Sequence, residues 1–167
     1  MNLAKEHNLY IIEDACQAIG AQYTFSNGET KQAGTMGHIG CTSFFPSKNL
    51  GCYGDGGAIF TNDDELAARM QAIANHGMVV RYHHDMIGVN SRLDSIQAAV
   101  LDAKLPHLDE YIAARQQAAE YYDNAFASNE KVLIPCRAPH STHVFHQYTL
   151  RVIGADRDSL REGLAEK

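Results

Sequence analysis

No apolar run in the sequence approaches the roughly 18 residues that a membrane-spanning helix needs. The opening residues, MNLAKEHNLY, also lack the apolar core of a secretory signal, so the cytoplasm is the expected compartment. Basic charge is scarce. Fourteen lysines and arginines face twenty acids, a net charge of −6 with the histidines neutral. Nucleic acids and membrane surfaces are bound by basic faces, so neither partner is expected. Four cysteines stand at 16, 41, 52 and 136 without a CxxC pair, which disfavours a zinc knuckle or a thioredoxin-like motif. They are expected to be free, small apolar residues. Repeats and low-complexity segments are absent as well. What remains, 45% apolar and 20% charged residues over 167 positions, is the composition of a globular domain long enough to bury a core.

The pattern along the chain is α/β. Asn8–Ala15, NLYIIEDA, is a short apolar run ending in two acids, expected as a buried parallel strand with Glu13 and Asp14 at its carboxyl end. Residues 24–37 are rich in Gly, Thr and Ser and predict a loop or hairpin. Cys41–Phe45 and Gly57–Thr61 read as strands. A helix is expected from Asp63 to about Asn75, with Asn62 as its cap and Gly77 beyond its end. Residues 78–90 predict a loop. Two helices follow, one over Ser91–Lys104 and a longer one with Pro106 in its first turn, reaching about Phe126. Lys131–Ile134 and the alternating Val144–Ile153 predict strands, and a last helix starts at a cap on Asp156 or Asp158. Strands, then long helices, then a new strand–helix start imply one domain over 1–127 and the beginning of a second over 128–167.

One short stretch carries unusual chemistry. SFFPSKNLGCYGDGG, residues 43–57, places Lys48 between an apolar run and a glycine-rich turn, and it is the only lysine between Lys31 and Lys104. A lysine beside buried strands can have its amine deprotonated by desolvation and then attack an aldehyde. A solvated surface lysine is the plain alternative. Asp14 could serve a ring nitrogen or simply cap a turn, and Ser43 alone says little. The glycines do not form a nucleotide-phosphate loop, because a strand rather than a helix follows them. Tyr82-His83-His84-Asp85 could hint at a metal, but adjacent histidines on extended backbone point apart. No metal site is expected there, or at His143 and His146, which read as strand-edge residues.

Taken together, EDACQAIGA (13–21), GHIGCTSFFPSKNLGCYGDGGAIFTND (37–63) and GVNSRLDSIQAA (88–99) closely resemble the DegT/DnrJ/EryC1/StrS family of pyridoxal-phosphate-dependent nucleotide-sugar aminotransferases. The resemblance spans roughly residues 3–167. It implies an aspartate-aminotransferase-like, type I pyridoxal phosphate fold, present in part: the C-terminal half of the large domain and the start of the small one. It also implies pyridoxal 5′-phosphate as cofactor, a homodimer with the active site at the subunit interface, a keto nucleotide-sugar as substrate and an amino acid, usually glutamate, as donor.

By the same resemblance, Lys48 matches the lysine that binds the cofactor covalently and carries protons. Asp14 matches the acid that keeps the pyridine nitrogen protonated, Gln17 a residue near the ring's phenolic edge, and Ser43 a phosphate contact. Asn90 matches an asparagine that reaches the neighbouring subunit's phosphate. Arg92 is a candidate for an anionic part of the sugar; an ion pair or a cap is its alternative. Gly51, Gly54, Gly56 and Gly57 are expected to let backbone pass close to cofactor and partner. A histidine in place of Lys48 would indicate a sugar dehydratase, so lysine favours amino transfer. In the family, about half of the large domain precedes EDACQ, and most of the small domain would follow Lys167. The chain alone is therefore expected to be catalytically incomplete, and a non-catalytic interaction fragment is the alternative reading.

Overall fold

The computed structural model describes all 167 residues. A short helix, α1 (Asn2–Glu6), leads into β1 (Ile12–Asp14). A small antiparallel hairpin follows, β2 (Gln22–Thr24) with β3 (Thr30–Gln32). Next come β4 (Ile39–Ser43) and β5 (Gly57–Phe60). The main sheet has the order β1-β4-β5. β1 lies parallel to β4, with Asp14 opposite Cys41, and β5 lies antiparallel to β4.

Helix α2 (Asp64–Ala74) is capped by Asp63, whose carboxylate accepts from the Leu66 amide at 2.9 Å. The expected cap, Asn62, is one residue too early. Residues 78–90 are not a plain loop: β6 (Met78–Val80) and β7 (His83–His84) form a hairpin. Asn90 bridges back to Asn75. Helix α3 (Ser95–Lys104) starts four residues later than expected because Asp94 takes the cap, accepting from the Ile96 amide at 2.8 Å. A single 3-10 turn through Pro106, Leu105–His107, joins it to α4 (Leu108–Phe126). β8 (Val132–Leu133) and β9 (Arg151–Val152) form a separate two-stranded ladder, and α5 (Arg157–Ala165) is capped by Asp156.

The core lies between the sheet and α3–α4. Phe44, Leu50 and Cys52 from the loop after β4 meet Leu101, Leu108 and Ile112 from the helices, and Val144 closes the cluster. The other sheet face is open. Paired strand residues point to the same side, so Ile12, Ile39, Cys41 and Ile59 share a face. Ile12 is 65% and Ile59 57% exposed. The expectation of a fully buried first strand is therefore not met, because β1 is an edge strand whose only neighbour is β4.

The expected strand over Val144–Ile153 shrinks to Arg151–Val152. Its first residues pack differently. Phe145 has a φ of +45°, which breaks extended backbone. The carbonyls of 144–146 are taken by side chains: Asn49 Nδ2 donates to Val144 O at 2.9 Å, and Arg115 donates to Phe145 O at 3.1 Å and His146 O at 3.3 Å. Val144 packs into the core formed by the earlier elements. Farther along, Asp123 on α4 accepts from the Tyr148 hydroxyl at 2.6 Å and from Arg137, whose guanidinium lies 4.3 Å over the Phe145 ring.

Candidate active site

β1 and β4 end side by side, and their carboxyl ends carry the marked residues. The Ala15 amide donates to Cys41 O at 2.8 Å. The parallel ladder thus continues one residue past Asp14 and brings the Asp14 end of β1 beside the loop that follows Ser43. In α/β sheets, the space beyond such strand ends is the usual ligand position. Asp14 is exposed there. The Cys16 thiol and the Cys16 amide, the latter at 3.1 Å, both donate to it, and with the nearby Lys48 charge they hold its carboxyl below the ordinary aspartate range. The Cys16 thiol is pushed up in turn, chiefly by the same bond.

Lys48 stands half-buried on the turn after β4, where its own amide donates to Phe45 O at 2.9 Å. Ser43 Oγ accepts from the Phe45 amide at 3.2 Å, which leaves its hydroxyl proton free to donate. Gln17 is exposed on the turn after β1. An ionised carboxylate, a half-buried amine and an uncommitted hydroxyl at two adjoining strand ends form a donor set that fits pyridoxal phosphate.

Residues far away in sequence hold this turn. Gln97 Oε1 on α3 accepts from the amides of Tyr53 at 2.8 Å and Gly54 at 3.1 Å, and Lys104 Nζ donates to Gly51 O. Asn49 ties the turn to Val144. The glycines serve the chain's own packing: a Cβ on Gly51 would meet Pro46 O at 2.5 Å, and one on Gly56 would meet Cys52 Sγ at 2.9 Å. Beside Asp14, Glu13 binds a second loop. Its carboxylate accepts from the amides of Gly34 at 2.9 Å, Met36 and Gly37. The sequence singled out Glu13 only as a neighbouring acid. A carboxylate followed some twenty residues later by a glycine-rich loop was the one available hint.

Asn90 and Arg92 follow the β6–β7 hairpin. Arg92 Nε donates to Asn90 Oδ1 at 3.3 Å, and both line a cavity of about 1060 Å³ with Cys41, Ile59, Thr61 and Gln71. Asp14, Gln17, Ser43 and Lys48 are not in its walls. His83 and His84 are exposed on the β6–β7 hairpin, and His84 Nδ1 donates to His76 O at 2.8 Å.

The sheet with helices α3 and α4 packed over one face belongs to the aspartate-aminotransferase-like, type I class. Solved structures bear the class out. A DegT/DnrJ/EryC1/StrS aminotransferase from Brucella abortus superposes with a TM-score of 0.87 at 40% identity, over 99% of this chain and 42% of that one. DesV from S. venezuelae does so with a TM-score of 0.89 at 42% identity, over 99% and 43%. The chain belongs to the DegT/DnrJ/EryC1/StrS aminotransferase family, whose model matches residues 1–167. Among curated relatives, a UDP-2-acetamido-2-deoxy-3-oxo-D-glucuronate aminotransferase from Pseudomonas aeruginosa is 46% identical over 97% of this chain and 43% of its own length. A pleiotropic regulatory protein from Geobacillus stearothermophilus is 47% identical over 99% and 43%. The chain thus spans less than half the length of these relatives.

Proposed function

We propose that the protein carrying this chain transfers an amino group from an amino acid, glutamate by preference, to a keto nucleotide-sugar for surface polysaccharide or glycan synthesis, with pyridoxal phosphate as cofactor. The observation that carries the reading is the parallel pairing of β1 with β4, which sets the Asp14 end of one strand beside the Lys48 turn that follows the other. When bound, the cofactor supplies an aldehyde for amine exchange and a ring that draws electrons from the carbon losing its proton. Asp14, kept ionised by Cys16, holds the proton on the ring nitrogen. Lys48 Nζ anchors the cofactor and, once freed, moves a proton to and from the amino-bearing carbon. Ser43 Oγ donates to phosphate, and Gln17 borders the ring's phenolic edge.

Asn90 acts from a neighbouring subunit in a cytoplasmic homodimer. Arg92 beside it is proposed to meet an anionic group of the sugar. The P. aeruginosa relative's name, a 3-oxo-glucuronate aminotransferase, supports a 3-keto sugar bearing a carboxylate. The part of the enzyme in hand is taken as large domain over 1–127 and the start of the small domain over 128–167.

The test uses the complete protein. Cofactor should attach covalently at Lys48, located by peptide mass spectrometry after borohydride reduction. Lys48→Ala should abolish turnover while the phosphate contacts retain some cofactor. Asp14→Asn should lower turnover by several powers of ten at ~1.4 kcal/mol each. Attachment at another lysine, or near-normal turnover in either variant, refutes the assignment.

A further inference from the structure

The loop that carries Lys48, residues 44–56, contains no helix or strand. Gly51, Gly54 and Gly56 within it have wide backbone freedom. Its neck closes on itself: the Cys52 amide donates to Phe44 O and the Phe44 amide to Gly56 O, both at 2.8 Å. The arm that follows the lysine, residues 51–54, is held by helix α3.

Three side chains of α3 reach this loop from one face of the helix. Residues four and seven positions apart on a helix share a side, here Gln97, Leu101 and Lys104. Leu101 joins Phe44, Leu50 and Cys52 in the core. Gln97 Oε1 accepts from the amides of Tyr53 at 2.8 Å and Gly54 at 3.1 Å, and Lys104 Nζ donates to Gly51 O. The two polar grips thus stand two helical turns, about 10 Å, apart, with an apolar contact between them. Apolar contact is non-directional and lets a loop slide. Hydrogen bonds to its backbone at two separate points do not.

We propose that Gln97 and Lys104 are positioning residues for Lys48: by gripping the arm that follows the lysine, they fix the backbone from which its amine meets the cofactor. Both act through the loop and not on the amine. Without them the glycines let the arm sample more backbone states, and the lysine must be ordered at the moment it attaches. The inference rests on Lys48 being the reactive amine, as proposed above.

The experiment uses the complete protein, freed of cofactor, with pyridoxal 5′-phosphate as the probe. The share of Lys48 joined to it is read across a titration by borohydride reduction and peptide mass spectrometry. Gln97→Met keeps the length of the side chain and removes the acceptor, and Lys104→Met removes the donor. Each should raise the concentration needed for half-attachment by on the order of tenfold. Gln97→Glu, which keeps an oxygen for both amides, should recover most of that loss. A Lys48→Ala background separates positioning from damage. There the probe is held by its other contacts, so Gln97→Met should leave its affinity, measured by equilibrium dialysis, unchanged. A methionine variant that attaches the probe as wild type does overturns the role of that residue. A loss of affinity as large in the Lys48→Ala background as in its presence overturns the proposal for both. Attachment at a different lysine overturns the earlier reading instead. Should both methionine variants fail to fold, amide exchange in the wild type decides. Tyr53 and Gly54 must then exchange far more slowly than in an unfolded chain, and unprotected amides refute the grip.

Discussion

Glu13→Gln tests whether the acid beside Asp14 supports the site. The Glu13 carboxylate accepts three backbone N–H groups, from Gly34, Met36 and Gly37. A glutamine retains one oxygen, which can keep the Met36 and Gly37 bonds, while its amide NH2 then faces the Gly34 N–H. One bond to a charged acceptor is lost, worth ~1.5–3 kcal/mol, and two become neutral bonds of about half the strength. Glu13 is only half-buried, and water reaching the freed amides offsets part of that loss. A destabilisation of ~2–3 kcal/mol remains. At a urea slope of ~2 kcal/mol/M the midpoint should fall by ~1 M. Amide hydrogen exchange should show the cause locally, as lost protection at Gly34, Met36 and Gly37. The exposed pair Lys31–Glu29, at 3.4 Å, is the control, and Glu29→Gln should shift stability by less than ~1 kcal/mol. If Glu13→Gln moves the midpoint no more than the control does, and segment 34–37 stays protected, the carboxylate does not hold this loop.

Two further outcomes follow from the region around α4. Burial and the bond to Asp123 raise the Tyr148 phenol to about 12 from the ordinary 10.0. A raised folded pKa gives stability that is complete below pH 10 and lost as pH rises toward 12. Tyr148→Phe should therefore flatten the alkaline loss of stability in thermal melts between those values, and an equally steep loss in both proteins refutes the coupling. Asn49→Asp replaces the buried donor to Val144 O with an acceptor, so it should cost at least ~2 kcal/mol in urea unfolding. A midpoint equal to wild type would show that the tether between the Lys48 turn and residue 144 is not needed.

Local chemistry was readable in advance. Asp156 caps α5 as expected because a cap joins residues only three apart, and Pro106 fell at the joint between α3 and α4 for the same kind of reason. The Asn62-for-Asp63 and Ser91-for-Ser95 errors arose where neighbouring polar residues compete for one cap. The motifs around Asp14 and Lys48 pointed to the family because residue types and spacing are sequence properties. That their two strand ends adjoin depends on a parallel pairing of β1 with β4, and a hydrophobic pattern does not choose that partner. The same limit hid the roles of Gln97, Lys104 and Asn49. Gln97 reaches Tyr53 across 44 residues, Lys104 reaches Gly51 across 53, and Asn49 reaches Val144 across 95. The alternation over Val144–Ile153 is a genuine strand pattern. It lost to Asn49 and Arg115, whose donors took the carbonyls that a neighbouring strand would have bonded. Which donors arrive there is decided by tertiary packing, because Asn49 and Arg115 stand 95 and 30 residues from the carbonyls they bind.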